Sequence, residues 1–170
     1  MSKKVLSILV ENTPGVTSHI SGLFSRRGYN IDSFSSGVTS DPRFTRITIV
    51  TSGDELVLEQ IEKQVAKLED VVDLKVLEPG KSVVRELMIV KISTKDKSLG
   101  KTVFTFKDIV DNFHGKIVDQ NPDSVVVEVT GNTDKLDSFL LNMGDYEILE
   151  LARTGLTGLS RGTDDVVMLD

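Results

Sequence analysis

Two histidines, His19 and His114, and 26 carboxylates are set against a complete lack of cysteine. A thiolate nucleophile, a disulfide and a cysteine-based zinc or iron–sulfur site are therefore excluded. The histidines are far apart, and no H-x-H or H-x-x-x-H spacing supports a metal. Acidic groupings include Glu11 near Asn12, Glu69-Asp70, Asp119 with Asp123, and Asp164-Asp165. None places paired carboxylates in an apolar run, as general acid–base work requires. No serine lies in a G-x-S-x-G elbow. Gly80-Lys81-Ser82 resembles the end of a phosphate-binding loop, but Lys75 stands where the first glycine belongs. What remains is the turn Glu11-Asn12-Thr13-Pro14-Gly15-Val16. It opens a helix, where unpaired backbone N–H groups and the positive dipole end attract a carboxylate. Gly15 lets a ligand approach the backbone, and the Asn12 amide both donates and accepts. A plain capped turn explains the same residues.

The elements around that turn follow from hydrophobic spacing. Val5–Val10 reads as a buried strand. Asn12 or Thr13 suits the helix cap and Pro14 the first helical position. Val16, Ile20, Leu23 and Phe24 then form one apolar stripe, which Arg26, Arg27 and Gly28 close. Tyr29–Phe34 and Phe44–Thr51 read as strands on either side of an Asp41-Pro42 turn. Val57, Ile61, Val65 and Leu68 give a second helix, and Val71–Leu77 a fourth strand. The second half repeats this order. Leu87–Ile92 is followed by the stripe Val103, Phe106, Ile109, Val110 and Phe113, with Gly115 as its stop. Strands Lys116–Asp119 and Val125–Thr130, a helix through Leu136, Phe139 and Leu140, and strand Tyr146–Leu151 complete it.

The fold class is therefore α+β, with two tandem ferredoxin-like β-α-β-β-α-β units. The expected divisions are residues 1–78, a linker at 79–84, residues 85–162, and a disordered tail at 163–170. Units of this size bury little surface and have sheet edges that need cover, which points to an oligomer. The net charge is −6. Residues 1–80 carry 9 basic and 11 acidic side chains, and 81–170 carry 11 and 15. Neither half is basic, so no phosphate-dominated nucleic-acid interface is expected. Ferredoxin-like sheets that bind RNA use aromatic residues, and the central strands here offer only Phe44. No apolar run exceeds four residues, so no membrane span is expected and the cytoplasm is the default.

The stretch Ser7–Ser33, SILVENTPGVTSHISGLFSRRGYNIDS, resembles an ACT domain. Further residues narrow the resemblance to the small, regulatory subunits of acetolactate synthase (acetohydroxyacid synthase). They are Leu58–Gln64, Val84-Arg85-Glu86-Leu87, Ala152-Arg153-Thr154-Gly155 and Gly158-Leu159-Ser160-Arg161-Gly162. The resemblance implies that the first unit is an effector-binding ACT domain and that the chain has no catalysis of its own. It implies a catalytic large subunit as partner, carrying thiamine diphosphate, Mg and FAD. That subunit would be activated by this chain and made sensitive to valine, or to leucine or isoleucine. The effector would sit between two ACT units of a homodimer. Asn12, Gly15, Val16 and Thr17 would come from one chain, and Asn30 and Ile31 from the other. The rival expectation is a free-standing ACT-type amino-acid sensor with another partner.

Overall fold

The computed structural model describes residues 2–95, 99–164 and 166–167, with the side chains of 99–105 outside the description. In the first unit β1 (Ser2–Glu11), α1 (Val16–Arg27), β2 (Ser33–Val38), β3 (Phe44–Gly53), α2 (Glu55–Val65) and β4 (Val71–Val76) follow one another. The antiparallel sheet runs in the order β2-β3-β1-β4. Registers Leu6↔Ile49 and Ile8↔Ile47 put four aliphatic side chains on one face. The α1 stripe Val16, Ile20, Leu23 and Phe24 and the α2 stripe Leu58, Ile61 and Val65 bury that face. Alternation places Ser7 and Thr48 on the opposite face. Both are buried, and the Arg46 guanidinium donates to Ser7 Oγ at 3.0 Å.

The second unit repeats the plan with β5 (Ser82–Ser93), α3 (Leu99–Asn112), β6 (Lys116–Gln120), β7 (Ser124–Gly131), α4 (Thr133–Asn142) and β8 (Ile148–Arg153). Its strand order is β6-β7-β5-β8. Met88, Val90 and Ile92 pair with Val129, Val127 and Val125. They pack under Val110, Leu136 and Phe139, with Phe113 edge-on to Phe139 at 5.5 Å. Both sheets carry an irregularity at the same place, Leu9/Val10 against β4 and Lys91/Ile92 against β8. Val103, the first member of the expected α3 stripe, lies outside the described side chains.

Several boundaries differ from those expected. The second strand is Ser33–Val38 rather than Tyr29–Phe34, because Tyr29 turns back into the core beside Phe24. The α1 cap is Gly15, at φ 92°, and neither Asn12 nor Thr13. The left-handed residue after α3 is His114, at φ 52°, and not Gly115. Gly115 is needed for space: a Cβ there would stand 3.2 Å from Val110 and Val129. The stretch read as a linker holds the start of β5. A strand absent from the sequence reading, β9 (Thr157–Ser160), pairs with β5. The compact units are Met1–Val84 with Leu156–Asp170, and Arg85–Gly155, so 156–162 fall with the first unit and not the second. Of the expected disordered tail, 165 and 168–170 lie outside the described residues. Thr163, Asp164, Val166 and Val167 belong to no helix or strand.

Candidate effector site

β1 ends at Glu11, whose N–H donates to the Asp70 carbonyl. Asn12 then turns the chain. Its N–H donates to Arg43 O at 2.7 Å, its Nδ2 to Pro42 O at 2.9 Å, and its Oδ1 accepts from Thr45 Oγ1 at 3.1 Å. The turn it grips is held by Asp41, which takes hydrogen bonds from the Arg43 backbone and side chain. That hydrogen-bonded guanidinium keeps the Asp41 carboxyl below the usual carboxylate range. Asn12 thus has a scaffolding role, and the second donor and acceptor positions of its amide remain for other partners.

Three helices have a described start, and they differ. Asn132 caps α4, its side chain accepting from Lys135 N, and Asp134 lies in the first turn. α2 has Glu55 in its first turn. α1 has neither a side-chain cap nor an acidic residue in its first turn. Its first turn therefore adds no negative charge of its own to the positive end of the helix dipole. Gly15 sits there in the left-handed conformation that permits the tight entry without a Cβ. His19, one turn on, is bound through Nδ1 to Asp70 Oδ2 at 2.7 Å, and its Nε2 lies 3.9 Å from where a Gly15 Cβ would be. Thr17 is exposed. Val16 faces its own core, 6 % exposed, and offers a ligand backbone more than side chain.

Asn30 and Ile31 lie elsewhere. Asn30 is exposed, its Nδ2 donates to Asp32 Oδ1, and its carbonyl accepts from Thr51 Oγ1 at 2.6 Å. Ile31 is half-buried against the first core. Asp32 also accepts from Ser52 Oγ at 3.1 Å and pairs with Lys3 at 3.6 Å. Lys3 is opposite Ser52 and Glu11 is opposite Phe44. The two groups of candidate residues therefore flank opposite ends of β1, on the order of 25 Å apart at about 3.3 Å per residue. One chain does not bring them together. Nothing in the sequence marks Lys3, Asp32 and Ser52, since isolated polar residues carry no pattern, and Asp70 stands out there only as the neighbour of Glu69. Among the described residues no three His, Asp or Glu are grouped to hold a metal, and no helix is long and apolar enough to cross a membrane.

Residues 6–73 match the family model of the AHAS small subunit-like ACT domain, and 85–162 that of the small subunit of acetolactate synthase. The chain is 45 % identical over 159 residues to a probable acetolactate synthase small subunit of Methanothermobacter thermautotrophicus, covering 94 % of this chain and 93 % of the relative. It belongs to the acetolactate synthase small-subunit family. The isozyme 3 small subunit of Escherichia coli is also 45 % identical, over 161 residues that cover 94 % of this chain and 96 % of the relative. The crystal structure of the acetolactate synthase small subunit from Thermotoga maritima superimposes with a TM-score of 0.83 at 33 % identity, covering 96 % and 99 % of the two chains. As a small subunit, this chain carries its ACT domain in the unit with the uncapped helix start. Gly158–Gly162, quoted above for the resemblance, spans β9 and the turn after it.

Proposed function

We propose that this small subunit binds the catalytic large subunit of acetolactate synthase, raises its activity, and makes it inhibitable by valine. Valine sits between the first units of two chains. The observation that carries this is the separation of the candidate residues. The Gly15 turn and the Asn30–Ile31 segment flank opposite ends of β1, so a site that uses both draws them from two copies. The effector carboxylate meets backbone N–H groups at the start of α1, whose Gly15 cap makes no side-chain hydrogen bond. Asn30 of the second chain engages the polar head through its amide, and Ile31 lines an apolar slot. A methylene in such a slot is worth about 1–3 kcal/mol, so leucine and isoleucine compete. The chain performs no chemistry itself. Thiamine diphosphate, Mg and FAD belong to the large subunit, in the cytoplasm.

The test is reconstitution with a cognate large subunit. Acetolactate formation rises on adding this chain and then falls with valine. No rise and no valine response contradicts the proposal. Alone, the chain saturated with valine at 100 times the dissociation constant gains about 2.7 kcal/mol in stability.

A further inference from the structure

The chain passes from the first unit to the second at Val84–Arg85 and returns at Gly155–Leu156. It is pinned on each side of these crossings. Thr154 N donates to Leu87 O at 3.0 Å inside the second unit, and Arg161 N to Lys81 O at 2.8 Å inside the first. The returning strand β9 has its own anchors in the first unit. Leu156 N donates to Ser33 Oγ at 3.1 Å, and Ser35 Oγ donates to Leu156 O at 2.7 Å. Gly158 is buried, and a Cβ there would stand 2.6 Å from Val84 and 2.8 Å from Leu77. The strap therefore lies close, and two serine hydroxyls clamp its first residue.

Those serines are on β2, directly after Asn30, Ile31 and Asp32. Ser33 and Ser35 share a face of the strand, opposite Val50 and Thr48 on β3. Asp32 is tied to Val50 through its backbone N–H. An effector that fixes Asn30 and Ile31 also fixes the entry to β2, and with it the two hydroxyls.

We propose that Leu156–Ser160 is a strap that tightens when effector occupies the Asn30–Ile31 half-site, and that Ser33 and Ser35 are the positioning residues that transmit this to the second unit through Gly155. This rests on the valine reading above. The effector orders a segment it does not touch, and the strap's change of order is the coupling. The covalent continuation through Gly155 carries it, since Thr154 is hydrogen-bonded at both its N–H and its hydroxyl to Leu87.

Hydrogen–deuterium exchange over 156–162 of the full chain, with and without valine, tests this beside thermal melting of the same samples. Valine raises the melting temperature and slows exchange in the strap about fivefold or more. The double variant Ser33→Ala with Ser35→Ala still melts higher with valine, but its strap exchange no longer responds. Reconstituted with the large subunit, that variant activates as the unmodified chain does, and valine inhibits about fivefold more weakly. Ser35→Thr, which keeps the hydroxyl, retains the strap response. A raised melting temperature with unchanged strap exchange overturns the inference, as does full inhibition in the double variant. If valine, leucine and isoleucine all fail to shift the melt, the effector reading falls and this inference with it.

Discussion

α1, the first helix of the first unit, and α4, the second helix of the second unit, begin in opposite ways. In the second unit Asn132 accepts a hydrogen bond from Lys135 N and Asp134 adds charge, so the helix start is satisfied from within. In the first unit Gly15 supplies a left-handed turn and nothing else, and no carboxylate stands in the first turn of α1. The order of the four strands and the sheet irregularity near the end of the first strand are common to both units. In chain order α4 corresponds to α2; the counterpart of α1 is α3, and residues 96–98 before it and its first side chains lie outside the described residues. Between α1 and α4 the difference lies in what the chain supplies at the helix start. The sheet edges differ as well. All five residues of β6 are exposed, whereas the first half of β2 is half-buried and holds the strap.

The largest effects come from the two cores. Phe24 and Phe139 are both fully buried, one in each unit. Either changed to alanine loses about 3–5 kcal/mol in urea unfolding. The comparison predicts that Phe139→Ala keeps the full valine-induced shift, while Phe24→Ala, which loosens α1, reduces it.

Next come the glycines at the two ends of α1. Gly15 and Gly28 both have positive φ, 92° and 67°. Alanine at either costs about 1–2 kcal/mol for the left-handed conformation. Only Gly15→Ala weakens valine inhibition in the reconstituted enzyme. An equal loss in both would assign the effect to strain rather than to the site.

The caps give a smaller contrast. Asn132→Ala costs about 1 kcal/mol by urea unfolding, since it removes a side-chain cap. Asp54→Ala costs less, because Asp54 makes no cap hydrogen bond.

The smallest effect is one of pH. Lys91 hydrogen-bonds Glu150 at 2.6 Å and lowers its pKa, with the charge attraction adding to this. Because the folded value lies below the ordinary one, the contribution is full above the usual glutamate range. It is lost as pH falls through the lowered value. Glu150→Gln therefore flattens the acid limb of the stability profile in a small, salt-sensitive way.

Much of this was legible in the sequence, because apolar spacing reports a buried face directly. Val16, Ile20, Leu23 and Phe24 lie in the α1 contact as read. The α2 stripe holds too, with Leu58 joining Ile61 and Val65 in the fully buried core. The α1 cap was misread because Asn12 and Thr13 are good capping residues by type, yet Asn12 spends its side chain on Pro42 and Thr45, far along the chain. The strap was missed for a related reason. Thr157–Ser160 has only four residues and one apolar side chain, so no alternation shows. Its place is set by backbone pairing and by a glycine that fits where no other residue would. The candidate residues Asn12, Gly15, Asn30 and Ile31 rest on resemblance, and nothing in their spacing reveals that they flank opposite ends of one strand.

Complementation between two broken chains tests the central claim, a site shared by two copies, most directly. Gly15→Asp spoils the turn half, and Asn30→Ala spoils the strand half. Valine binding by calorimetry is absent from each variant alone. After the two are mixed and allowed to exchange partners, half of the dimers are mixed and each holds one intact site. About one quarter of the normal binding capacity then returns, as two-fold symmetry requires. A mixture that binds no valine, while the unmodified chain binds it, contradicts a site built from two chains.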